Sequence, residues 1–321
     1  RLKIMYNHKI IIVIPCYKVK EKILKVLSKI PKWIFKIICV DDCCPQNSGK
    51  YVKENINDER VEVIFNESNL GVGGASMKGF SKAKDLGAEI IIKIDGDDQM
   101  DVSYLENFIN PIIKNDADFV KGNRFTKFED YVKMPLLRKI GNIFFSFFNR
   151  ISSGYWNIFD TTNGYLCFNS KLIDILPLNK ISKDYFFESD LLNWLYILRV
   201  NVLDIPVKAI YDNENSNINI ISVIFKFPLL YLRNFFRRFF YEYCLRNPDV
   251  KFFGFLFGLI SLIFGVIFSI SAWQTDIADI PSNSGTVGLA LLTILIGINL
   301  ISLFFISDLN NFPKKNLYKL N

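Results

Sequence analysis

Between residues 9 and 121 short apolar runs alternate with amphipathic stretches. The runs KIIIVIP (9–15), FKIICV (35–40), VEVIF (61–65), EIIIKI (89–94) and ADFVKG (117–122) read as strands, and helical patterns fill roughly 20–30, 48–56, 73–87 and 101–115. Alternation of this kind predicts an α/β domain with a mostly parallel sheet and helices on both faces. Asn69-Leu70-Gly71-Val72-Gly73-Gly74 opens the third helical stretch. A glycine-rich helix start can receive phosphate, but this one lacks the Lys-Ser/Thr of a P-loop and the glycine spacing of a dinucleotide fold.

The pattern then changes. Ile140, Ile143, Phe144, Phe147, Phe148 and Ile151 recur at helical spacing within 135–151. Packing on a core is the expected reason for such a stripe, and the flanking Arg138 and Arg150 leave a lipid-facing helix as the alternative. Residues 229–246 place Leu229, Leu232, Phe236, Phe239, Phe240 and Tyr243 on one face, away from Arg233, Arg237, Arg238 and Arg246. That is the pattern of a helix lying among lipid headgroups. Two uncharged segments follow, 252–273 and 286–307, each long enough to span a bilayer. Asp276 and Asp279 lie between them without any Lys or Arg, whereas Arg246 and Lys251 precede the pair and Lys314, Lys315 and Lys319 follow it. The positive-inside rule predicts a multi-pass protein of the inner (cytoplasmic) membrane, with both termini and the α/β domain in the cytoplasm. The expected organisation is an α/β domain over 1–217, interfacial helices over 218–251 and a membrane anchor over 252–321. No signal peptide is expected ahead of the first strand.

Composition supports this division. Of the 321 residues 50% are hydrophobic and thirty are Phe, rich for a soluble protein. The net charge of +7 is modest. Its clustering beside apolar segments suits anionic lipid heads, and no nucleic-acid-binding signature accompanies it. The cysteines at 16, 39, 43, 44, 167 and 244 show no metal-ligand spacing and read as reduced thiols. His8 is the only histidine, which excludes Ser-His-Asp and Cys-His mechanisms and a His-rich zinc site.

The densest chemistry is at IIIKIDGDDQMD (90–101), where an apolar strand ends in acid. Alternation along a strand lets Asp95 and Asp97 project to one side, at the edge of an α/β sheet where ligands bind. Gly96 between them allows a ligand close to the backbone. With the amide oxygen of Gln99 nearby, this is a hard-oxygen site suited to Mg²⁺ or Mn²⁺, whose remaining ligands come from water and phosphate.

In order along the chain, the motifs resemble glycosyltransferase family 2, especially its polyprenyl- and dolichyl-phosphate sugar synthase branch, over about 9–217. Ile14-Pro15-Cys16-Tyr17 matches the opening strand and turn, and Val40-Asp41-Asp42 the second strand, whose second aspartate binds the nucleotide base in the family. Asn69, Gly71, Gly74 and Gly79 match the glycine helix, and Asp95-Gly96-Asp97-Asp98-Gln99 the metal motif. Gly122-Asn123-Arg124 matches a segment whose arginine meets phosphate, and Asp160-Thr161-Thr162-Asn163-Gly164-Tyr165 the acceptor-side segment. The resemblance implies a GT-A fold and an inverting transfer from a UDP- or GDP-sugar to polyprenyl phosphate at the cytoplasmic leaflet. It also implies a donor site using Pro15, Tyr17, Val40, Asp42, Gly74, Asp95, Gly96 and Asp97, and it allows a homo-oligomer. Asp42 at a strand end can accept from a uracil or guanine N–H, and Arg124 can add a bidentate phosphate contact.

Glu188 and Asp190 precede a helix in FFESDLLNWL, and either could serve as base toward a hydroxyl acceptor. A phosphate acceptor, with a second pKa of about 6, needs positioning more than deprotonation. Asp160 then becomes an acceptor-side organiser. Three features depart from the family: Lys18-Val19 follows the tyrosine, Cys43-Cys44 replaces Gly-Ser, and the stretch 211–217 lacks the phosphate-clamping Arg and Lys. Lys208, Lys226 and the arginines at 233–238 remain to substitute. Two other functions fit less of the chain: transfer to a hydroxyl of a lipid-linked glycan in envelope polysaccharide assembly, and a nucleotide-binding membrane scaffold.

Overall fold

Seven strands form a single sheet in the computed structural model, which describes residues 7–125, 136–208, 220–246, 250–277 and 283–320. They are β1 (Ile10–Cys16), β2 (Lys36–Asp41), β3 (Val61–Phe65), β4 (Ile90–Lys93), β5 (Phe119–Asn123), β6 (Leu166–Asn169) and β7 (Val202–Pro206), in the order β3-β2-β1-β4-β6-β5-β7. All neighbours are parallel except β6, which runs antiparallel between β4 and β5. Two reversals leave β5 pointing the same way as β4, so the carboxyl ends of β1, β2, β4 and β5 share one edge.

The five strands expected from the apolar runs all form, and α1 (Ile23–Lys29), α2 (Ser48–Asn55), α3 (Gly71–Asp85) and α4 (Leu105–Ile113) lie within the expected helical stretches to a few residues. Ile10 to Ile14 are every one fully buried. Successive strand side chains point to opposite faces, so both faces of β1 must be covered by helices. Each such side chain contributes roughly 1.5–3 kcal/mol on burial. Helix α3 lies so close on the sheet that a Cβ at Gly79 would strike Val13 and stand 3.0 Å from Val40 Cγ2.

Beyond the first sheet half come α5 (Leu136–Ser153), the single turn α6 (Leu172–Ile175), α7 (Phe187–Ile197) and α8 (Ile220–Phe239). The stripe on α5 is not in a core: Ile143, Phe144 and Phe147 are exposed, while Ser146, Asn149, Ser152 and Ser153 are buried.

The chain divides into two compact units, 1–235 with 313–321, and 236–312. The final segment therefore groups with the α/β body, where the sequence reading placed it with the anchor. Four of its positions are hydrogen-bonded there. Asp118 accepts the amides of Leu317 and Tyr318 at 2.8 and 3.0 Å. Asn115 clasps Leu320 both ways, accepting its amide at 2.7 Å and donating to its carbonyl at 3.3 Å. Asn201 donates to Asn316 at 2.6 Å.

The second unit holds a π-type turn (Phe240–Arg246), α9 (Val250–Ile277) and α10 (Ser284–Leu309). Both helices are long and apolar enough to cross a membrane. They touch through small residues: a Cβ on Gly297 would lie 2.8 Å from Leu262 Cβ, and one on Gly258 2.9 Å from Leu300 Cβ. Residues 278–282 of the connection lie outside the described residues.

One expectation is corrected in this unit. Arg238 is fully buried and makes a two-pronged ion pair with Asp308, at 2.6 and 3.0 Å, to which the Tyr243 hydroxyl also donates at 2.6 Å. It is thus no headgroup or phosphate contact. Arg238→Ala should take the guanidinium from a buried carboxylate and cost about 3–5 kcal/mol, read as a lower unfolding midpoint in detergent. A midpoint equal to wild type would show that the pair is not a structural lock.

Candidate active site

The acidic cluster at the end of β4 is built by three local devices. Asp98 takes a left-handed conformation with φ of 62° and is held by Lys25, at 2.7 Å, and by Lys29, which ties the loop to α1. Burial pushes the Asp98 carboxyl up, but the two lysines outweigh it and hold it below its usual range. Asp97 Oδ1 accepts the Gln99 amide at 3.1 Å, closing the turn. Gly96 has a packing reason that the sequence did not suggest. A Cβ there would stand 3.1 Å from Val19, 3.2 Å from Ile23 and 3.4 Å from Ile14, so the glycine also serves packing beneath the loop.

Sequence reasoning missed the residue that ties this cluster together. Lys93, the last residue of β4, is fully buried, with its ammonium 2.7 Å from Asp95 and 3.6 Å from Glu188. Burial disfavours its charge, yet the two carboxylates outweigh burial and hold its pKa above the ordinary value. Gly164 leaves room for it: a Cβ there would collide with the Lys93 ammonium and lie 3.1 Å from Asp95 and 3.3 Å from Glu188. Asp95, Gly164 and Glu188, from three separate segments, thus meet around one lysine.

Next to it lies a second buried lysine. Lys93 and Lys121 are both in register with Leu166, and Lys121 is also in register with Asp204, which puts these side chains on one sheet face. Lys121 donates to the Asn163 carbonyl. Burial pushes its pKa down to about 8, with Glu188 and Asp160 opposing. Burial also pushes Asp204 up to about 6.

Asp160 is fully buried and receives the Arg124 guanidinium at 2.7 and 3.0 Å, the Arg124 amide at 3.1 Å and Asn163 Nδ2 at 3.3 Å. Burial alone would raise its pKa, but Arg124 and Lys121 outweigh that and hold it down. A third of the Arg124 side chain stays exposed. Asp160 therefore holds Arg124 in one orientation.

The two candidate bases separate. Asp190 is fully buried, accepts the Ser182 amide and hydroxyl at 2.8 and 2.9 Å, and lies 3.5 Å from Arg233. It fastens the 182–184 segment and does not reach the site. Glu188 faces Lys93 and Asp95.

The nucleotide-side residues behave unequally. Tyr17 and Pro15 stand at the open end of β1, with Tyr17 exposed. Val40 is fully buried, so its side chain belongs to packing under α3. Asp42 is buried as well, accepting Asn66 Nδ2 and the Leu70 amide at 2.7 and 2.8 Å on one oxygen and the Gly71 amide at 2.8 Å on the other. In this arrangement it orders the 66–71 turn. The glycine-rich start of α3 is engaged within the chain: the Gly73 and Gly74 amides donate to the Lys183 carbonyl at 2.8 and 3.1 Å. The stretch 211–217 and the Arg138 side chain lie outside the described residues.

A divalent cation fits the Asp95–Gln99 loop by donor type, since carboxylate and amide oxygens suit Mg²⁺ or Mn²⁺. Among the described residues no group of three or more His, Cys, Asp or Glu forms a cage. An ion held here would draw its remaining ligands from water and diphosphate. Lys93 already places one positive charge against Asp95.

An α/β sheet with Asp-Gly-Asp just past its fourth strand and an arginine held just past its fifth has the form of a GT-A glycosyltransferase. Residues 11–176 match the model of glycosyl transferase family 2, and the chain belongs to that family. It is 30% identical over 241 residues to the UDP-N-acetylglucosamine–dolichyl-phosphate N-acetylglucosaminyltransferase of Methanococcus voltae, covering 71% of this chain and 95% of that protein. It is 25% identical over 203 residues to the undecaprenyl-phosphate mannosyltransferase of Micrococcus luteus, covering 62% and 82%. Among solved structures it shares its fold with glucosyl-3-phosphoglycerate synthase from Mycobacterium tuberculosis in complex with UDP, at a TM-score of 0.55 and 13% identity over 74% of this chain and 82% of that one. The same enzyme has been solved with Mn²⁺, UDP-glucose and phosphoglyceric acid.

Proposed function

We propose that this glycosyltransferase moves a sugar from a nucleotide-diphosphate donor to a polyprenyl-type lipid phosphate at the cytoplasmic face of a membrane, with inversion at the anomeric carbon. The observation that carries the reading is the junction at Lys93, where Asp95 from the donor motif and Glu188 from the acceptor side share one buried cation. Asp95, Asp97 and Gln99 would hold Mg²⁺ or Mn²⁺. The ion would neutralise charge on the departing nucleotide diphosphate, the main electrostatic demand of the transfer. Tyr17 and Pro15 would border the nucleotide.

On the acceptor side Arg124, fixed by Asp160, presents the exposed part of its guanidinium to an incoming phosphate. Glu188 is engaged with Lys93, which suits a positioning role. A phosphate acceptor, with a second pKa of about 6, arrives largely ionised near neutral pH and asks for no base. The lipid-phosphate chemistry in the names of the Methanococcus and Micrococcus relatives supports the same choice.

The test is incubation of membranes containing the full chain with a panel of radiolabelled UDP- and GDP-sugars. Label should enter a lipid extract and be released by mild acid, as a glycosyl phosphate is. Label confined to a growing glycan would overturn the lipid-phosphate acceptor and favour a hydroxyl acceptor with Glu188 as base. No transfer from any donor would overturn the reading as a whole.

A further inference from the structure

Lys93 is tethered inside the acidic cluster. Strand β4 pairs with β1 on one side and β6 on the other, with Lys93 in register with Val13 and Leu166, so its backbone is held from both sides. The side chain is fully buried, and the ammonium lies 2.7 Å from Asp95 Oδ1 and 3.6 Å from Glu188 Oε1. Gly164 closes over it and leaves no room for a methyl group. An ammonium placed in this way cannot swing out to solvent and give up Asp95 to another ion.

The contact with Asp95 is ionic rather than directed. Among the described residues the buried Lys93 ammonium has no acceptor aligned for a hydrogen bond. Its N–H donors are therefore unspent. Asp98 has lysines of its own, Lys25 and Lys29, so Lys93 answers Asp95 and Glu188 alone within this cluster. A buried donor left in this state points to a ligand, and the ligand that suits an ammonium is an anion.

Charge decides which ligand can enter. A divalent cation bringing only water to Asp95 would meet a fixed positive charge on the same carboxylate. The setting is largely shielded from solvent, where like charges repel far more than in bulk water. A cation carried by a nucleotide diphosphate brings anionic oxygens, which offset its own charge and that of Lys93.

We infer that Lys93 is a tethered competitor for Asp95, which keeps free divalent cations out of the loop and makes cation binding conditional on the nucleotide diphosphate. It is a positioning residue that acts through Asp95, and the inference rests on the cation site proposed above. Cation and nucleotide then arrive and depart as one, and the lysine resets the emptied loop.

The experiment titrates Mn²⁺ into the full chain in an uncharged detergent and counts the free ion by electron paramagnetic resonance, without nucleotide and with UDP or GDP. Lys93→Met keeps most of the side chain and removes its charge. Without nucleotide this variant should bind Mn²⁺ more tightly than wild type by about tenfold or more. Adding Asp97→Asn to it should abolish the gain, which ties the gain to this loop. In wild type the better nucleotide should tighten Mn²⁺ by about tenfold or more, and in Lys93→Met by clearly less. Lys93→Gln supplies a second neutral side chain should methionine disturb the fold, which the thermal midpoint reports. A lysine that only supports the fold would, once removed, lower the midpoint and weaken Mn²⁺ binding together. That result, or a Mn²⁺ affinity without nucleotide equal to wild type, would overturn the inference. Mn²⁺ that fails to bind wild type even with nucleotide would overturn the cation site itself, and the inference with it.

Discussion

Asp97→Asn should lower kcat/KM by at least about three orders of magnitude while leaving the thermal midpoint where it is. Each factor of ten in rate corresponds to about 1.4 kcal/mol, and withdrawing a charged ligand from metal-assisted displacement costs several kcal/mol of transition-state stabilisation. The fold should not notice. Asp97 lies in a partly exposed turn, where its Oδ1 accepts the Gln99 amide, a bond that an asparagine oxygen can also accept. Loop position is fixed from elsewhere, by Asp98 on Lys25 and Lys29 and by Gly96 on Val19 and Ile23. Chelation of wild-type enzyme with EDTA should give the same loss, reversed by Mg²⁺ or Mn²⁺. Near-normal turnover in the variant, or activity that survives EDTA, would remove the cation from the mechanism.

Lys121→Met should make the protein more stable and less active. Burial drives the Lys121 pKa from 10.5 down to about 8, about 2.5 units, so keeping its charge inside the fold costs roughly 3 kcal/mol below pH 8. The sign follows from proton binding. Between about 8 and 10.5 the unfolded chain holds this proton more firmly than the folded one, so wild-type stability at this site rises with pH across that window. Methionine removes the cost and loses the hydrogen bond to the Asn163 carbonyl, worth about 1 kcal/mol. A net gain of about 2 kcal/mol is expected at pH 7, vanishing near pH 10 and turning into a loss of about 1 kcal/mol above it, where only the missing hydrogen bond counts, and denaturant titrations at several pH values would measure it. Activity should fall by on the order of a hundredfold, because a fixed positive charge beside Asp160 and Glu188 is gone. A variant that is both less stable at pH 7 and fully active would refute this account of Lys121.

What the sequence disclosed follows from what periodicity can carry. Strands β1 to β5 were legible because each lies in a short, mainly apolar run bounded by turn residues. Strand β6 was not, because LCFN has four residues and gains its identity only from β4 and β5 on either side. The Asp95–Gln99 loop was legible as chemistry, since acid at the end of an apolar strand has few other uses. Lys93 and Lys121 were the missed signal, each a lysine inside an otherwise apolar strand. Asp95 is a near neighbour of Lys93 in the chain, but Glu188 reaches Lys93 from α7, and Lys121 feels Glu188 and Asp160 from distant segments, which no local pattern reveals. Glu188 and Asp190 looked equivalent in the chain, but two steps along a helix turn a side chain by about 200°, so only one could face the site. The α5 stripe carries a further lesson: helical spacing of apolar residues tells that a helix has a greasy side, not whether that side meets protein or lipid.

The carboxy-terminal segment, held by Asn115, Asp118 and Asn201, alters what the anchor is. The α/β body is assembled from both ends of the chain, with 236–312 interrupting it. The stretch 236–312, with its two helices long and apolar enough to cross a membrane, is therefore an insertion within the chain of the α/β body rather than an appendage to it. A polypeptide that leaves a folded body and rejoins it must cross any intervening bilayer an even number of times. Were the stretch 236–312 to enter a bilayer, closure of the fold would return both of its ends to the same side. Cutting the chain ahead of α9 would also not free an intact enzyme: it would strip Asp118 of two of its hydrogen-bond donors and leave the domain without its final segment.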